Sequence, residues 1–115
     1  MDALSVTMAA LADPTRRAIL ARLKSGPATV TELCQPFRMS QQAVSKHVAY
    51  LEQARLVRKR RDGRQQICEL APAPIREVAD WASDYRRHWE AAFSRLRGLL
   101  QRQKDQRERR RRRAR

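Results

Sequence analysis

Cysteine is scarce in this sequence: two in 115 residues, Cys34 and Cys68, both in apolar contexts. That excludes a disulfide framework. Glycine is almost as scarce, three in all, and no Gly-rich loop able to cradle a phosphate can be assembled. No apolar run approaches the roughly 18 residues of a membrane-spanning helix. The N-terminal "MDALSVTMAALADPTRR" has no basic region before its apolar stretch, so it does not read as a signal peptide. A cytoplasmic protein is expected. No nucleophile with a partnered base and no close carboxylate pair stands out, so an enzyme is not expected. Acid is also in short supply: 12 Asp+Glu stand against 26 Lys+Arg, a net charge of +14.

An excess of that size predicts a polyanionic partner, nucleic acid before an anionic membrane. It is concentrated at one end. "QRQKDQRERRRRRAR" (101–115) holds nine basic and two acidic residues, net +7, which leaves +7 for residues 1–100. The length suits one small domain. We read residues 1–103 as that domain and 104–115 as a basic, disordered tail, either a solvated terminus or an element that adds sequence-independent DNA affinity.

Along the chain, Leu4, Met8 and Leu11 are spaced for one face of a short helix. In "DPTRRAILARLKSG", Asp13 suits an N-cap and Pro14 the first helical position. Ala18, Ile19, Leu20 and Leu23 supply its buried side, and Gly26-Pro27 stops it. Thr29 and Glu32 have capping-box spacing for a third helix, which Pro36 keeps short. Leu33 and Phe37 point inward. Ser40 caps the next helix, 41–54. On a wheel its Val44, Val48, Leu51 and Ala54 share one face. Gln42, Ser45, Lys46, Ala49 and Gln53 share the other, with Gln41 at the edge and His47 on the apolar flank. "LVRKRRDGRQQICEL" reads as a hairpin, strands 56–61 and 64–70, turning at Asp62-Gly63 with both turn residues at positive φ. A long helix then carries Ile75, Val78, Ala82, Tyr85, Trp89, Phe93, Leu96 and Leu100. At about 1.5 Å per residue it runs close to 40 Å, longer than the rest of the domain can cover.

The order predicts a mainly helical α+β fold: four helices, a hairpin, and a long fifth helix. The third and fourth helices joined by the short "RMS" turn make a helix-turn-helix, and the hairpin makes it winged. A helix fits the major groove, where amide, hydroxyl and amine groups read base edges. The candidate DNA contacts of this helix are Ser40, Gln41, Gln42, Ser45, Lys46 and His47, the last either as a phosphate contact at the groove edge or merely packed. The wing, residues 57–66, offers Arg58, Arg60, Arg61 and Arg64 to phosphates. Double-stranded DNA is the expected partner. An architectural DNA-binding protein without sequence preference is the rival reading, in which the base readers would be superfluous.

Four stretches carry a resemblance: "LADPTRRAILARL", "TVTELC", "MSQQAVSKHVAYLEQARLV" and "RRDGRQQICEL". Together they resemble the ArsR/SmtB family of bacterial winged-helix repressors over about residues 3–71. The continuation "VADWASDYRRHWEAAFSRLRGLL" is similar to the SdpR-like autorepressor branch. The resemblance implies a homodimer built on the first and last helices, acting on DNA in the bacterial nucleoid. It also implies repression at an inverted repeat, relieved by an inducer whose identity the sequence does not disclose. For the dimer interface we expect Leu4, Met8, Leu11, Trp81, Tyr85, Trp89, Phe93 and Leu96.

Many members of that family sense metals. One of their sites uses a Cys-x-Cys pair; here "ELCQPF" has Cys34 alone, with Pro36 where the second sulfur would stand. Another uses Asp and His pairs on the last helix. Asp84 and His88 are spaced to share a helical face, but a second histidine is lacking. A closed site needs more ligands, so no metal and no cofactor are expected. A Cys34/Cys68 redox switch lacks any charge pattern that would activate Cys68.

Overall fold

The structure, a computed structural model, describes residues 1–114. It divides into a unit comprising Met1–Ala79 and a second that begins at Asp80. In the first unit, each of the first four helices starts where a side chain satisfies free N–H groups. The Asp2 carboxylate accepts from Ser5 N at 2.7 Å and opens α1, Ala3–Leu11. Asp13 accepts from Arg16 N at 3.0 Å and opens α2, Pro14–Leu23, with Pro14 in the first turn. The other end of α1 is held by side chains of α2. Arg16 donates to Ala10 O (2.7 Å) and Ala9 O (3.0 Å), and Arg17 to Leu11 O (2.7 Å). These bonds satisfy carbonyls that a helix C-terminus leaves open. The Arg16 guanidinium also lies 4.1 Å from the centre of the Tyr50 ring, a cation–π contact with the fourth helix.

Helix α3, Val30–Cys34, begins with the expected capping box between Thr29 and Glu32. Pro36 follows its end, and the connection to α4, Gln41–Gln53, runs through Gln35–Ser40 rather than the three residues "RMS". Ser40 Oγ caps α4 by accepting from Ala43 N at 3.1 Å. Val44, Val48 and Leu51 are fully buried, and Ala54 nearly so. They pack in one core with Ile19, Leu20, Leu23, Leu33 and Leu56. Burying each large side chain is worth about 1.5–3 kcal/mol, and this is what fixes the opposite, polar face outward. Ala18 is a correction: it is exposed, while Ile19, Leu20 and Leu23 carry the burial of α2. In α1 the buried residues are Thr7 and Ala10, and Leu4, Met8 and Leu11 are half-buried.

Helix α4 ends with Arg55 at φ 63°. Leu56 N donates to Leu51 O (2.9 Å) and Arg55 N to Glu52 O (3.0 Å), the bond pair of a Schellman cap with an arginine where glycine is usual. A Cβ in this region costs about 1 kcal/mol. Arg55→Gly is therefore expected to raise stability by about 1 kcal/mol, read as a higher denaturant midpoint; an unchanged or lower midpoint would show that the cap is unstrained.

The sheet has three antiparallel strands in the order β1-β3-β2: β1 is Ala28–Thr29, β2 Val57–Asp62 and β3 Gln65–Leu70. The two-residue β1 is not expected from the sequence. It pairs Ala28 with Cys68 and Thr29 with Ile67. The hairpin turns one residue later than expected. Asp62 pairs with Gln65, so the central residues are Gly63 and Arg64. Gly63 has φ 63°, and Arg64 is not among the residues of positive φ. A glycine alone at the first central position marks a type II′ turn, whereas the expected turn needs both residues positive.

Helix α5, Ala73–Ser83, and helix α6, Arg86–Arg113, replace the single long helix. The chain leaves the helical path at Asp84 and Tyr85, where Asp84 N bonds Trp81 O and Tyr85 N bonds Ala82 O with three-residue spacing. Ser83 Oγ turns back to Asp80 O at 2.9 Å, a local bond that competes with the helix. At the other end, residues 104–113 are helical where a disordered tail is expected from the sequence; Arg115 lies outside the described residues. No glycine or proline occurs between Gln101 and Arg113, and Gln, Lys, Glu and Arg are all good helix formers.

Candidate nucleic-acid interface

The polar face of α4 stands clear of the core. Gln41, Gln42 and Lys46 are exposed and Ser45 is half-buried. Ser40, by contrast, is engaged as the cap. Gln41 is steadied by α3, its Nε2 donating to Thr31 Oγ1 at 3.3 Å. His47 does not point with the others. Its Nδ1 lies 3.9 Å from Asp13 Oδ2, and less than a quarter of the side chain is exposed. The histidine thus joins α4 to the N-cap of α2.

Asp13 is itself electrostatically tuned. The hydrogen bond from Arg16 N holds its carboxyl below the ordinary value; burial opposes this, and the charges of His47 and Arg16 assist. A lowered carboxyl pKa contributes stability above the ordinary carboxylate value. That contribution is lost as pH falls through the lowered one.

In the wing, side chains alternate between the two faces of the hairpin. Val57 and Cys68 are buried, so Lys59 and Arg61 lie on the core side and Arg58 and Arg60 on the outer side. Lys59 Nζ reaches Glu52 at 4.0 Å, tying the wing to α4. Arg60 Nε is paired with Glu69 on the neighbouring strand. Among the described residues, Arg58, Arg61 and Arg64 have no carboxylate within 4.0 Å. The four wing arginines are therefore not equivalent, a distinction invisible before the register was known.

Helix and wing meet across one cleft of about 570 Å³, whose lining includes Thr29, Thr31, Gln41, Ser45, Arg64 and Gln66. Sequence reasoning missed Thr29, Thr31 and Gln66 as members of this surface. The capping box marks where α3 starts, but only the sheet brings that start beside Arg64. The cleft offers hydroxyls, amides and a guanidinium, the groups that contact phosphates and base edges, together with the Glu32 carboxylate, which is held by the capping box and by Arg22.

The remaining candidates fall elsewhere. Cys34 is half-buried and Cys68 fully buried. Burial pushes the Cys68 thiol up; nearby Lys59 works against this and Glu52 with it. Asp84 sits in the break between α5 and α6 and His88 in α6, so they do not share the continuous helical face that their spacing suggests. Among the described residues no three His, Cys, Asp or Glu side chains are grouped so as to hold a metal ion. None of the described helices is long and apolar enough to cross a membrane. In the second unit, Trp81 and Tyr85 stack edge to face with centroids 5.3 Å apart. Trp81, Tyr85, Trp89, Phe93 and Leu96 are each at least 41% exposed.

A short helix, a turn, a capped helix with a polar outer face and an arginine-tipped hairpin define a winged helix-turn-helix DNA-binding module. Known proteins carry the same module. A family model described as a helix-turn-helix domain matches residues 11–60. The HTH-type transcriptional regulator Rv2034 of Mycobacterium tuberculosis is 41% identical over 85 residues, 74% of this chain and 77% of its own length. The transcriptional repressor SdpR of Bacillus subtilis is 30% identical over 76 residues, 66% of this chain and 84% of its own. The crystal structure of the ArsR family transcriptional regulator RHA00566 superimposes with a TM-score of 0.71 at 40% identity, covering 77% of this chain and 98% of that one. The solution structure of the homodimeric winged helix-turn-helix DNA-binding domain of Mb0332 from Mycobacterium bovis gives 0.62 at 26% identity, covering 77% and 83%. The chain belongs to the ArsR family, and it is a DNA-binding transcriptional regulator.

Proposed function

We propose that the protein is a homodimeric repressor that occupies an inverted-repeat operator and regulates by occupancy, without metal, cofactor or catalytic step. Its place of work is the bacterial cytoplasm, where the nucleoid is. The observation that carries this reading is the outward group Gln41, Gln42, Ser45 and Lys46 on a helix whose other face is locked in the core. In this reading α4 lies in the major groove and the wing arginines grip flanking phosphates. The exposed aromatics from Trp81 to Phe93, with Leu4, Met8 and Leu11, form the two-fold contact. Two copies of α4 would then sit about 34 Å apart, one turn of DNA. The homodimeric relative and the relative named a repressor support it.

Gln42 tests the base-reading part. A side-chain amide aligned on a base edge is worth about 1–3 kcal/mol of discrimination. Gln42→Ala is expected to lower operator affinity by that amount and to leave random DNA nearly unaffected, in parallel anisotropy titrations. Equal losses on both duplexes would remove Gln42 from the readers.

A further inference from the structure

Helix α6 changes character along a single seam. Trp89, Phe93, Leu96 and Leu100 step by four, three and four residues and so share a face. The same stepping continues through Lys104, Arg107 and Arg111. An apolar seam that can pair with a copy of itself therefore becomes, in register, a cationic seam that repels one. Parallel, in-register pairing between copies along this face would meet like charge beyond Leu100.

Beyond Gln101 the helix is cationic on most sides. At about 100° per residue, Asp105 and Glu108 fall in one sector, and Arg102, Lys104, Arg107, Arg109, Arg110, Arg111 and Arg113 occupy the remainder. Asp105 accepts from Gln101 Nε2 at 3.2 Å. Among the described residues, no cation between Arg102 and Arg113 has a carboxylate within 4.0 Å. Every residue of the segment is exposed, and none from Gln101 to Arg113 is apolar. It thus lacks the apolar face by which an interfacial helix inserts into lipid. At about 1.5 Å per residue it extends some 18 Å. Residues 102–113 hold eight basic and two acidic residues, net +6, about one charge per 3 Å of helix; duplex DNA presents about one phosphate charge per 1.7 Å of axis, a density of the same order, and guanidinium groups fit phosphate oxygens.

We propose that residues 102–113 form a second DNA-binding element, a cationic helix that holds duplex DNA without regard to sequence and apart from the contacts of α4 and the wing. It deepens the operator-binding reading but is separable from it. The test compares the full chain with a variant carrying Arg109→Gln, Arg110→Gln, Arg111→Gln, Arg112→Gln and Arg113→Gln, which keeps helix propensity. Both are titrated with random and operator duplexes at salt from about 50 to about 200 mM. On random DNA the variant is expected to bind at least about tenfold more weakly at the low end, with a salt slope shallower by about 2 or more. Asp105→Asn with Glu108→Gln, which adds charge, is expected to tighten random-DNA binding about two- to tenfold. It provides the answer if the first variant loses helix content by circular dichroism. Unchanged affinity and slope in a folded variant would overturn the proposal. So would loss of binding to phosphatidylserine vesicles with duplex binding intact. If neither protein prefers operator over random DNA but the random-DNA loss appears, the operator reading fails and the cationic element stands.

Discussion

Changing Trp89 and Phe93 to glutamine is expected to yield a monomer whose operator affinity is lower by about 10²–10⁴-fold, although no group facing DNA has changed. The size comes from linkage. Two half-sites held by one dimer make the second binding event intramolecular, and that advantage is typically 10²–10⁴. The substitution acts on the dimer through area. Trp89 is 41% and Phe93 57% exposed in the single chain, so both retain apolar surface for a partner to cover. Interface aromatics commonly cost about 2 kcal/mol or more when removed. Four such losses per dimer match or exceed the roughly 8 kcal/mol that holds a micromolar complex. Sedimentation velocity reports the monomer, and anisotropy on the inverted repeat reports the lost affinity. A soluble dimer of this variant that still binds its operator tightly would place the interface elsewhere. Precipitation is avoided by reading Trp89→Gln alone, for which a weakened but measurable dimer is expected.

What is legible in the sequence is local. Asp13-Pro14, the Thr29/Glu32 box and Ser40 each announce a helix start because the capping bonds lie within one turn, and all three occur. The wheel of α4 is legible because one buried face needs only a period, and Val44, Val48 and Leu51 are fully buried. Features set by other parts of the chain are not. β1 is two residues long and exists because β3 offers it an edge. The hairpin turns one residue later because "DG" suits two turn types, and only the register tells which. The break at Asp84-Tyr85 has no glycine or proline to mark it. His47 reads from the sequence either as a phosphate contact at the groove edge or as a packed side chain; its approach to Asp13 depends on how α2 packs on α4. The same limit hides Thr31, which joins the cleft by tertiary placement alone.

The wing is expected to control affinity for every sequence, through Arg58, Arg61 and Arg64 rather than through Arg60. Each of the three is exposed and has no carboxylate within 4.0 Å among the described residues, while Arg60 is held by Glu69. Neutralising one phosphate releases counterions worth about 0.9 in the slope of log K against log salt. Replacing the three by glutamine withdraws six charges per dimer, so the slope is expected to flatten by up to about 5. Affinity near 50 mM salt should fall by about 10²–10³, on operator and random duplexes alike. Glu69→Gln is expected to do the reverse. It frees the Arg60 guanidinium and removes a carboxylate that faces the same phosphates, so binding tightens a few-fold and the slope steepens by about 1 per protomer. The opposite signs separate a phosphate contact from a folding defect, because a damaged hairpin would weaken binding in both variants. A triple variant that keeps the wild-type slope would mean that the wing does not touch the DNA backbone.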